Sequence, residues 1–299
     1  MWLTLAFASA ALLGFYDVAK KKALTENAVL PVLLLNTLFS TLLFLPTIVS
    51  AEWSLGWFDG TIFEAGTGTA HDHALVMLKA VIVLTSWIFG YFGIKHLPIT
   101  LVGPINATRP VLVLVGAMLL FGERLNGWQW IGVLLAGVSL LLLSRAGRRE
   151  GVRFTHNIWI VCVALSAVVG AASGLYDKYI MTQLDPVFVQ SRYNLYQLGM
   201  MAVLVALLWL PRRGATTPFR WDWSIPLISI FLTAADFVYF YALSEADAMI
   251  SVVSMIRRGS VVVSFLCGAL LFRERNLRAK ALDLGLILVG MLFLWWGSR

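Results

Sequence analysis

Ten apolar runs, each about as long as a lipid bilayer is thick, dominate this sequence of 299 residues. A helix needs roughly 20 mostly apolar residues to cross a membrane. Hydrophobic residues make up 60% of the chain, and a soluble protein of this length cannot bury such a share. The sequence therefore predicts an all-α integral membrane protein with ten transmembrane helices. The runs cover about residues 2–19, 29–49, 74–94, 99–121, 128–144, 157–180, 186–210, 223–243, 248–272 and 279–296.

The basic residues between these runs predict how the chain crosses the membrane. Counted from the N-terminus, the odd-numbered loops carry 15 Lys and Arg residues, whereas the even-numbered loops and the C-terminus carry 3. Cytoplasmic loops hold the excess of Lys and Arg. We therefore predict a multi-pass protein of the cytoplasmic membrane with both termini outside and the acidic polar insert 50–73 facing outward. Because the net charge of +7 follows this loop pattern, it does not indicate nucleic-acid binding.

Short motifs repeat in the same order in the two halves of the chain. Gly14-Phe15-Tyr16-Asp17 matches Gly174-Leu175-Tyr176-Asp177, and Phe121-Gly122-Glu123-Arg124 matches Phe272-Arg273-Glu274-Arg275. Each half holds five spans, an odd number, so the second half would enter the membrane inverted relative to the first. Inverted repeats are typical of secondary transporters, which bind substrate near the membrane midplane between the repeats. We predict a first repeat at 1–144, a basic linker at 145–156 and a second repeat at 157–299.

Two stretches at equivalent places in the repeats share a longer pattern. Residues 110–143 and 260–294 each contain an apolar span, a Glu-Arg turn and a returning helix that contains Gly. In this pattern the chain resembles the ten-helix, EamA-type members of the drug/metabolite transporter superfamily. The resemblance covers the whole chain as two units and implies a transporter. It also implies that both termini lie inside, which conflicts with the charge bias, and we give the charge bias more weight.

Charged residues inside the spans point to the kind of substrate. Arginine in hydrocarbon costs about 2.5 to 3.5 kcal/mol, so such residues face a cavity or a partner. The basic residues in spans outnumber the two deep acids, Asp236 and Asp283, and this surplus predicts an anionic substrate. The guanidinium fork suits phosphate or carboxylate. The alternative is an internal ion pair with Asp236 or Asp283. The five basic residues in spans are Lys79, Arg109, Arg192, Arg257 and Arg258.

Arg257 and Arg258 are the leading candidates for substrate binding. At 1.5 Å per residue, Arg258 lies about 14 Å from Met249, near the middle of a core of about 30 Å. The segment from Arg257 to Val263 resembles one in the ninth span of plastid sugar-phosphate translocators, a related branch. There a basic pair followed by valines holds the phosphate of the substrate. The resemblance implies that Arg257 and Arg258 are anion ligands.

Arg109 is the counterpart of this pair in the first half. Asn106 precedes it by three residues and shares its helix face, which makes both candidates for substrate binding. Pro104 and Pro110 interrupt this span. They fit either a broken transporter helix or a packing kink.

Further candidates lie in the second half. Arg192 has Tyr196 one turn later, and both are candidate substrate ligands unless Arg192 is interfacial. Tyr239 shares a face with Asp236, which is either a proton carrier or a counter-ion to an arginine. Lys79 lies near the start of its span and can snorkel to the surface.

Two more residue pairs suggest gating or packing. Asp17 and Asp177 occupy mirror positions of the repeats, either as gates or in local pairs with neighbouring lysines. Gly170 and Gly174, four residues apart, predict a close contact between helices.

We predict a secondary transporter that moves a small organic anion, phosphorylated anions included, by alternating access. Two alternatives stay open: a flippase for an anionic lipid carrier, and an exporter of amino acids or neutral metabolites. Enzymatic activity is not expected, because all four histidines lie in loops or at span ends and the chain lacks an ATP-binding loop. We expect no cofactor, metal or nucleic acid. The expected partners are the substrate and membrane lipids, and the protein is expected to act as a monomer or homodimer.

Overall fold

The computed structural model describes residues 1–24, 26–96, 109–146, 158–215, 217–260, 263 and 277–297. Within these ranges the chain folds into ten α-helices, and no strand occurs in them. The helices are α1 (Trp2–Leu24), α2 (Val29–Glu52), α3 (Ala70–His96), α4 (Arg109–Leu120), α5 (Gly127–Ala146), α6 (Ile158–Met181), α7 (Pro186–Leu204), α8 (Ser224–Ser244), α9 (Ile250–Arg257) and α10 (Leu277–Gly297). The predicted all-α fold is confirmed.

Six of the helical segments are long and apolar enough to cross a membrane. Each holds at least 18 residues, and their mean hydropathy lies between 1.5 and 2.2. The protein is therefore a multi-pass membrane protein. Ten spans remain a prediction, because parts of the fourth and ninth apolar runs lie outside the described residues. The six segments are Trp2–Leu24, Val29–Glu52, Ala70–Gly90, Ile158–Met181, Pro186–Arg212 and Ser224–Ser244.

The main packing pairs join helices of the first half to helices of the second. Helix α1 packs on α8 and α9, and α6 packs on α3 and α4. A shift of every helix by five positions turns the first set of contacts into the second. The pair α1 with α8 becomes α6 with α3, and α1 with α9 becomes α6 with α4. The same shift relates α2 with α8 to α7 with α3, and it leaves the pairs α2 with α7, α4 with α9 and α5 with α10 unchanged. The two inverted repeats that the sequence predicts would have such a pattern.

Helix α9 is short, and its end carries the arginine pair. Two bonds of the i to i+3 type close it, from the Arg258 amide to the Met255 carbonyl at 3.1 Å and from the Gly259 amide to the Ile256 carbonyl at 2.8 Å. Arg258 and Gly259 form a turn before helix resumes at Ser260. The expectation of one continuous helix over 248–272 is therefore wrong, because the chain breaks at the arginines. Broken helices of this kind supply polar sites in transporters.

Glu123, in the turn after α4, holds the beginning of α9. Its carboxylate accepts hydrogen bonds from the amides of Ile250 at 2.7 Å and Ser251 at 3.2 Å, and from the Ser251 hydroxyl. Free amides and the helix dipole make a helix N-terminus attractive to a carboxylate. Gly122, at a φ of +64°, supplies the left-handed turn that precedes Glu123. A turn of the first half thus fixes the helix that carries Arg257.

Candidate functional site

Five charged side chains and one tyrosine from five helices meet in the interior of the bundle. We call this set the central cluster. Its members make direct contacts or interact electrostatically with one another. They are Lys79 on α3, Arg109 on α4, Asp177 on α6, Asp236 and Tyr239 on α8, and Arg257 on α9.

Arg257 is neutralised by a carboxylate of the protein. Its Nη2 lies 2.8 Å from Oδ1 of Asp236, and the two side chains are 18% and 21% exposed. The guanidinium carbon stands 3.9 Å from the ring centre of Tyr239. The last turn of α9 also favours a cation, because a helix C-terminus carries negative partial charge. Of the two sequence-based alternatives for this arginine, the internal ion pair is present. Its Nε makes no hydrogen bond to any described residue.

Lys79 and Asp177 form a second ion pair and hydrogen bond, more deeply buried than the first. Their side chains are 3% and 9% exposed. The ammonium nitrogen also stands 4.6 Å from the ring centre of Tyr193 and 4.7 Å from that of Phe240. The expectation that Lys79 snorkels to the surface is therefore wrong. Helices α6 and α7 pack on α3 and cover the lysine, so its partner is a buried carboxylate rather than water.

Tyr239 connects the two ion pairs. Its hydroxyl donates to Oδ2 of Asp177 at 3.3 Å, and its ring carries the Arg257 guanidinium. The Tyr239 side chain therefore contacts a member of each ion pair, Asp177 in one and Arg257 in the other. For Asp177, one of the two sequence-based alternatives was a local pair with Lys178. Instead, the Lys178 ammonium donates to the carbonyls of Leu243 at 3.2 Å and Glu245 at 3.3 Å.

Arg109, at the start of α4, has a neutral hydrogen-bond partner. Its Nη2 donates to the Gly170 carbonyl at 2.6 Å. A Cβ atom built on Gly170 would stand only 2.4 Å from the guanidinium carbon, so the glycine makes room for this arginine. Electrostatic interactions link Arg109 to Tyr239, Arg257 and Asp177. The predicted close contact at Gly170 is present, and it serves a charged side chain as well as helix packing.

Arg192 and Tyr196 lie nearer the segment 53–69 between α2 and α3. Arg192 is 4% exposed and pairs with Glu52, the last residue of α2, at 2.7 Å. The Tyr196 hydroxyl lies 2.6 Å from Nδ1 of His73, and Nε2 of His73 lies 2.9 Å from the Thr67 carbonyl oxygen. The described contacts of both residues are thus with α2, His73 and Phe188 rather than with Arg109 or Arg257.

Some predicted site residues have no described side chain. Asn106 lies outside the described residues, as do the side chains of Asp17 and Asp283. Arg258 is half-buried in the turn after α9.

A small cavity beside the central cluster was not predicted from the sequence, and we call it the neutral cavity because its described lining residues other than Asp236 are uncharged. Its volume is about 10 Å³, close to the space of one water molecule. The sequence did contain a signal for it, because neutral polar residues recur at helical spacing within the apolar runs of α2 and α7. Its lining residues are Asn36, Thr37, Ser40, Trp87, Tyr193, Asn194, Gln197, Leu232, Thr233 and Asp236.

Comparisons with known proteins agree with this architecture. A solved structure titled "Crystal structure of protein" superposes with a TM-score of 0.72 over 98% of this chain and 95% of the other, at 17% sequence identity. That similarity shows the fold alone. The "Uncharacterized transporter PA0485" of Pseudomonas aeruginosa is 31% identical over 143 residues, which are 48% of this chain and 45% of that protein. The matched part thus spans less than half the length of the relative.

The family comparison covers nearly the whole chain. The sequence profile of the EamA-like transporter family matches residues 1–145 and again 157–296. Together with the buried charges and the apolar helices, this match makes the protein a membrane transporter in general terms. The chain belongs to the EamA-like transporter family.

Proposed function

We propose that this protein is a secondary transporter that moves a small organic anion across the cytoplasmic membrane by alternating access. One observation carries the proposal. Among the described residues of the central cluster, three cations, Lys79, Arg109 and Arg257, face only two carboxylates, Asp177 and Asp236. A buried positive surplus is costly in a membrane interior, and a negatively charged substrate removes that cost.

Arg109 and Arg257 are the proposed ligands of the anion. The described hydrogen bond of Arg109 goes to a neutral carbonyl, and Nε of Arg257 has no hydrogen-bond partner among the described residues. Both guanidinium groups therefore keep donors for a bound carboxylate or phosphate. The two groups also repel each other electrostatically, and an anion between them relieves that repulsion.

Asp236 acts in this proposal as an internal substitute for the substrate. It holds Arg257 while the site is empty, because a buried guanidinium without a counter-ion is destabilising. A substrate carboxylate or phosphate then replaces Asp236 at the guanidinium group. Exchange of one anion for another requires no further ion site. Proton-coupled transport would use Asp236 or Asp177 as the acid.

The neutral cavity favours a second candidate, an exporter of amino acids or other polar metabolites. Asp236 lines this cavity and pairs with Arg257, so a positive and a negative group stand side by side. Such a pair also suits the two charges of an amino acid. The two candidates differ in the net charge of the preferred compound.

Uptake into liposomes that contain the purified protein separates the candidates. The panel consists of sugar phosphates, inorganic phosphate, carboxylates and amino acids, each measured with wild type and with Arg257→Gln. We expect wild type to take up an organic anion fastest. The uptake rate of that anion should be at least about tenfold lower in Arg257→Gln than in wild type. The matched control is Arg220→Gln, whose side chain is 70% exposed. Preferred uptake of amino acids, or equal rates for both variants, would contradict the anion proposal.

The charge bias of the loops carries a separate proposal about orientation. With odd-numbered loops in the cytoplasm, the C-terminus and the segment 50–73 lie outside. Alkaline phosphatase fused after Arg299 should then be active, since this enzyme requires an oxidising compartment. An inactive fusion in a stable protein would reverse the proposed orientation.

A further inference from the structure

The neutral cavity has walls unlike those of the central cluster. Mainly amide, hydroxyl and aromatic side chains of α2, α3, α7 and α8 form it, and Asp236 is the one charged residue among the described residues that line it. Asp236 also pairs with Arg257. The cavity therefore adjoins the proposed anion site through Asp236.

Two amide groups in this wall have unmet hydrogen bonds. Oδ1 of Asn36 and Nδ2 of Asn194 have no hydrogen-bond partner among the described residues. The two residues are only 2% and 7% exposed. A third amide, that of Gln197, is 2% exposed and has Tyr193 as a hydrogen-bond partner in the same wall. A buried polar group without a partner is destabilising. Two such groups around one cavity point to something polar that enters it.

The chemistry of the wall selects a neutral group that both donates and accepts hydrogen bonds. The oxygen and nitrogen of an amide can exchange places by a flip. A hydroxyl group satisfies an amide in either orientation, because it donates to the oxygen and accepts from the nitrogen. An anionic group would meet Asp236 and be repelled, and an alkyl group would leave the amides of Asn36 and Asn194 unsatisfied.

We propose that the cavity is a subsite for a hydroxyl-bearing part of the transported anion. The substrate class is then a small hydroxylated organic acid, with its acidic group at Arg109 and Arg257 and a hydroxyl among Asn36, Asn194 and Gln197. This inference rests on the proposed function. The present volume of about 10 Å³ holds about one hydroxyl group, so α2, α7 and α8 must separate before the substrate passes.

Matched pairs of anions test the subsite in the full-length, detergent-solubilised protein. Glycerate and propionate carry the same charge and the same number of carbons, and only glycerate has hydroxyl groups. Affinities are measured from the shift in melting temperature with anion concentration. We expect glycerate to bind at least about tenfold more tightly than propionate, because a buried hydrogen-bonding site rejects a ligand that leaves it unpaired.

Variants of the cavity wall locate this preference. Asn36→Leu and Asn194→Leu should lose most of the preference for glycerate while keeping the affinity for propionate, which reports on the arginines. If the leucine variants fail to fold, Ser40→Ala takes their place. It removes a lining hydroxyl with little change in volume and should reduce the preference for glycerate. Thr41→Val is the control, because Thr41 is buried on α2 outside the cavity and bonds to the Thr37 carbonyl of its own helix.

The outcomes separate this inference from the proposed function. Equal affinity for glycerate and propionate in wild type would overturn the subsite and leave the anion proposal standing. A preference that every cavity variant retains would also overturn it, because the amides would then bond only to water. If neither these anions nor those of the transport panel bind, the proposed function itself fails.

Discussion

At the scale of single residues, each buried arginine has its own means of compensation. Arg257 has a carboxylate, an aromatic ring and a helix end, whereas Arg192 has Glu52 and the ring of Phe188. The described hydrogen bond of Arg109 goes to the Gly170 carbonyl. The sequence could predict that these residues need partners, because the cost of a charge in hydrocarbon is general. It indicated Asp236 and Asp283 as candidate partners of Arg257 but could not decide between them, since both lie on other helices than Arg257.

Gly170→Ala tests whether Arg109 needs the space that this glycine leaves. In the interior of a helix, alanine is favoured over glycine by about 1 kcal/mol. Helix propensity alone would therefore make the variant more stable than wild type. We expect transport to fall by about tenfold nonetheless, because the new methyl group displaces the guanidinium group. Uptake into liposomes measures the effect.

Gly174→Ala is the matched control one turn along the same helix. A Cβ atom there would meet its nearest neighbour, Cγ2 of Val113, at an ordinary 3.8 Å. Transport by this variant should be unchanged. Equal activity of the Gly170 and Gly174 variants would mean that the position of Arg109 does not limit transport.

At the scale of helices, the sequence predicts the beginnings better than the interruptions. Helix α7 begins at Pro186, as predicted, because Asp185 accepts hydrogen bonds from the amides of Val187 and Phe188 and proline suits the first helical position. The turn at Arg258–Gly259 was missed. Apolar length alone predicts a continuous span, and the cap that fixes α9 comes from Glu123, more than a hundred residues away in the sequence.

Glu123→Gln tests that cap at the element it holds. An amide keeps the size of the side chain but loses the charge and one acceptor, so α9 should be destabilised by about 1 to 2 kcal/mol. Hydrogen exchange measures the free energy of opening of the α9 amides. This free energy should fall by a similar amount, so that exchange becomes faster. Glu64→Gln, in the exposed segment between α2 and α3, serves as the control. Unchanged protection of α9 would show that its packing alone holds it.

The segment 53–69 is attached to the bundle by contacts that also belong to this scale. His73 lies between Tyr196 and the Thr67 carbonyl, Phe63 stacks on Phe237, and the Tyr241 hydroxyl donates to the Ile62 carbonyl. The sequence predicted an extramembrane insert, but it gave no sign of these contacts.

His73→Ala should loosen this segment, because the hydrogen bond to the Thr67 carbonyl is lost together with the bond that joins His73 to Tyr196 on α7. Chymotrypsin should then cleave within 53–69 several-fold faster than in wild type, as an opening that is easier by about 1 kcal/mol implies. His71→Ala is the control, since His71 is exposed two residues away. The same cleavage rate in both variants would assign the attachment to the aromatic contacts instead.

At the scale of the whole molecule, the packing pairs limit how the transporter can move. Alternating access by inverted repeats can proceed by rocking of one five-helix unit against the other. Within the described part of the chain, the main contacts instead join α1 with α8, α5 with α10, α3 with α6 and α2 with α7, so most of the described packing lies between the two sequential halves. We expect the moving bodies to combine helices of both halves. Repeats in the sequence indicate the symmetry but not which helices pack together.

The central claim is that a negatively charged substrate compensates the buried arginines. The melting temperature of Asp236→Asn, with and without the organic anion that liposomes take up fastest, tests this claim most directly. The variant leaves Arg257 without its carboxylate, so we predict that the anion raises its melting temperature by several degrees more than that of wild type. The double variant Asp236→Asn with Arg257→Gln should lose this extra shift. The same shift in all three proteins would show that the anion does not bind at Arg257 and would contradict the account.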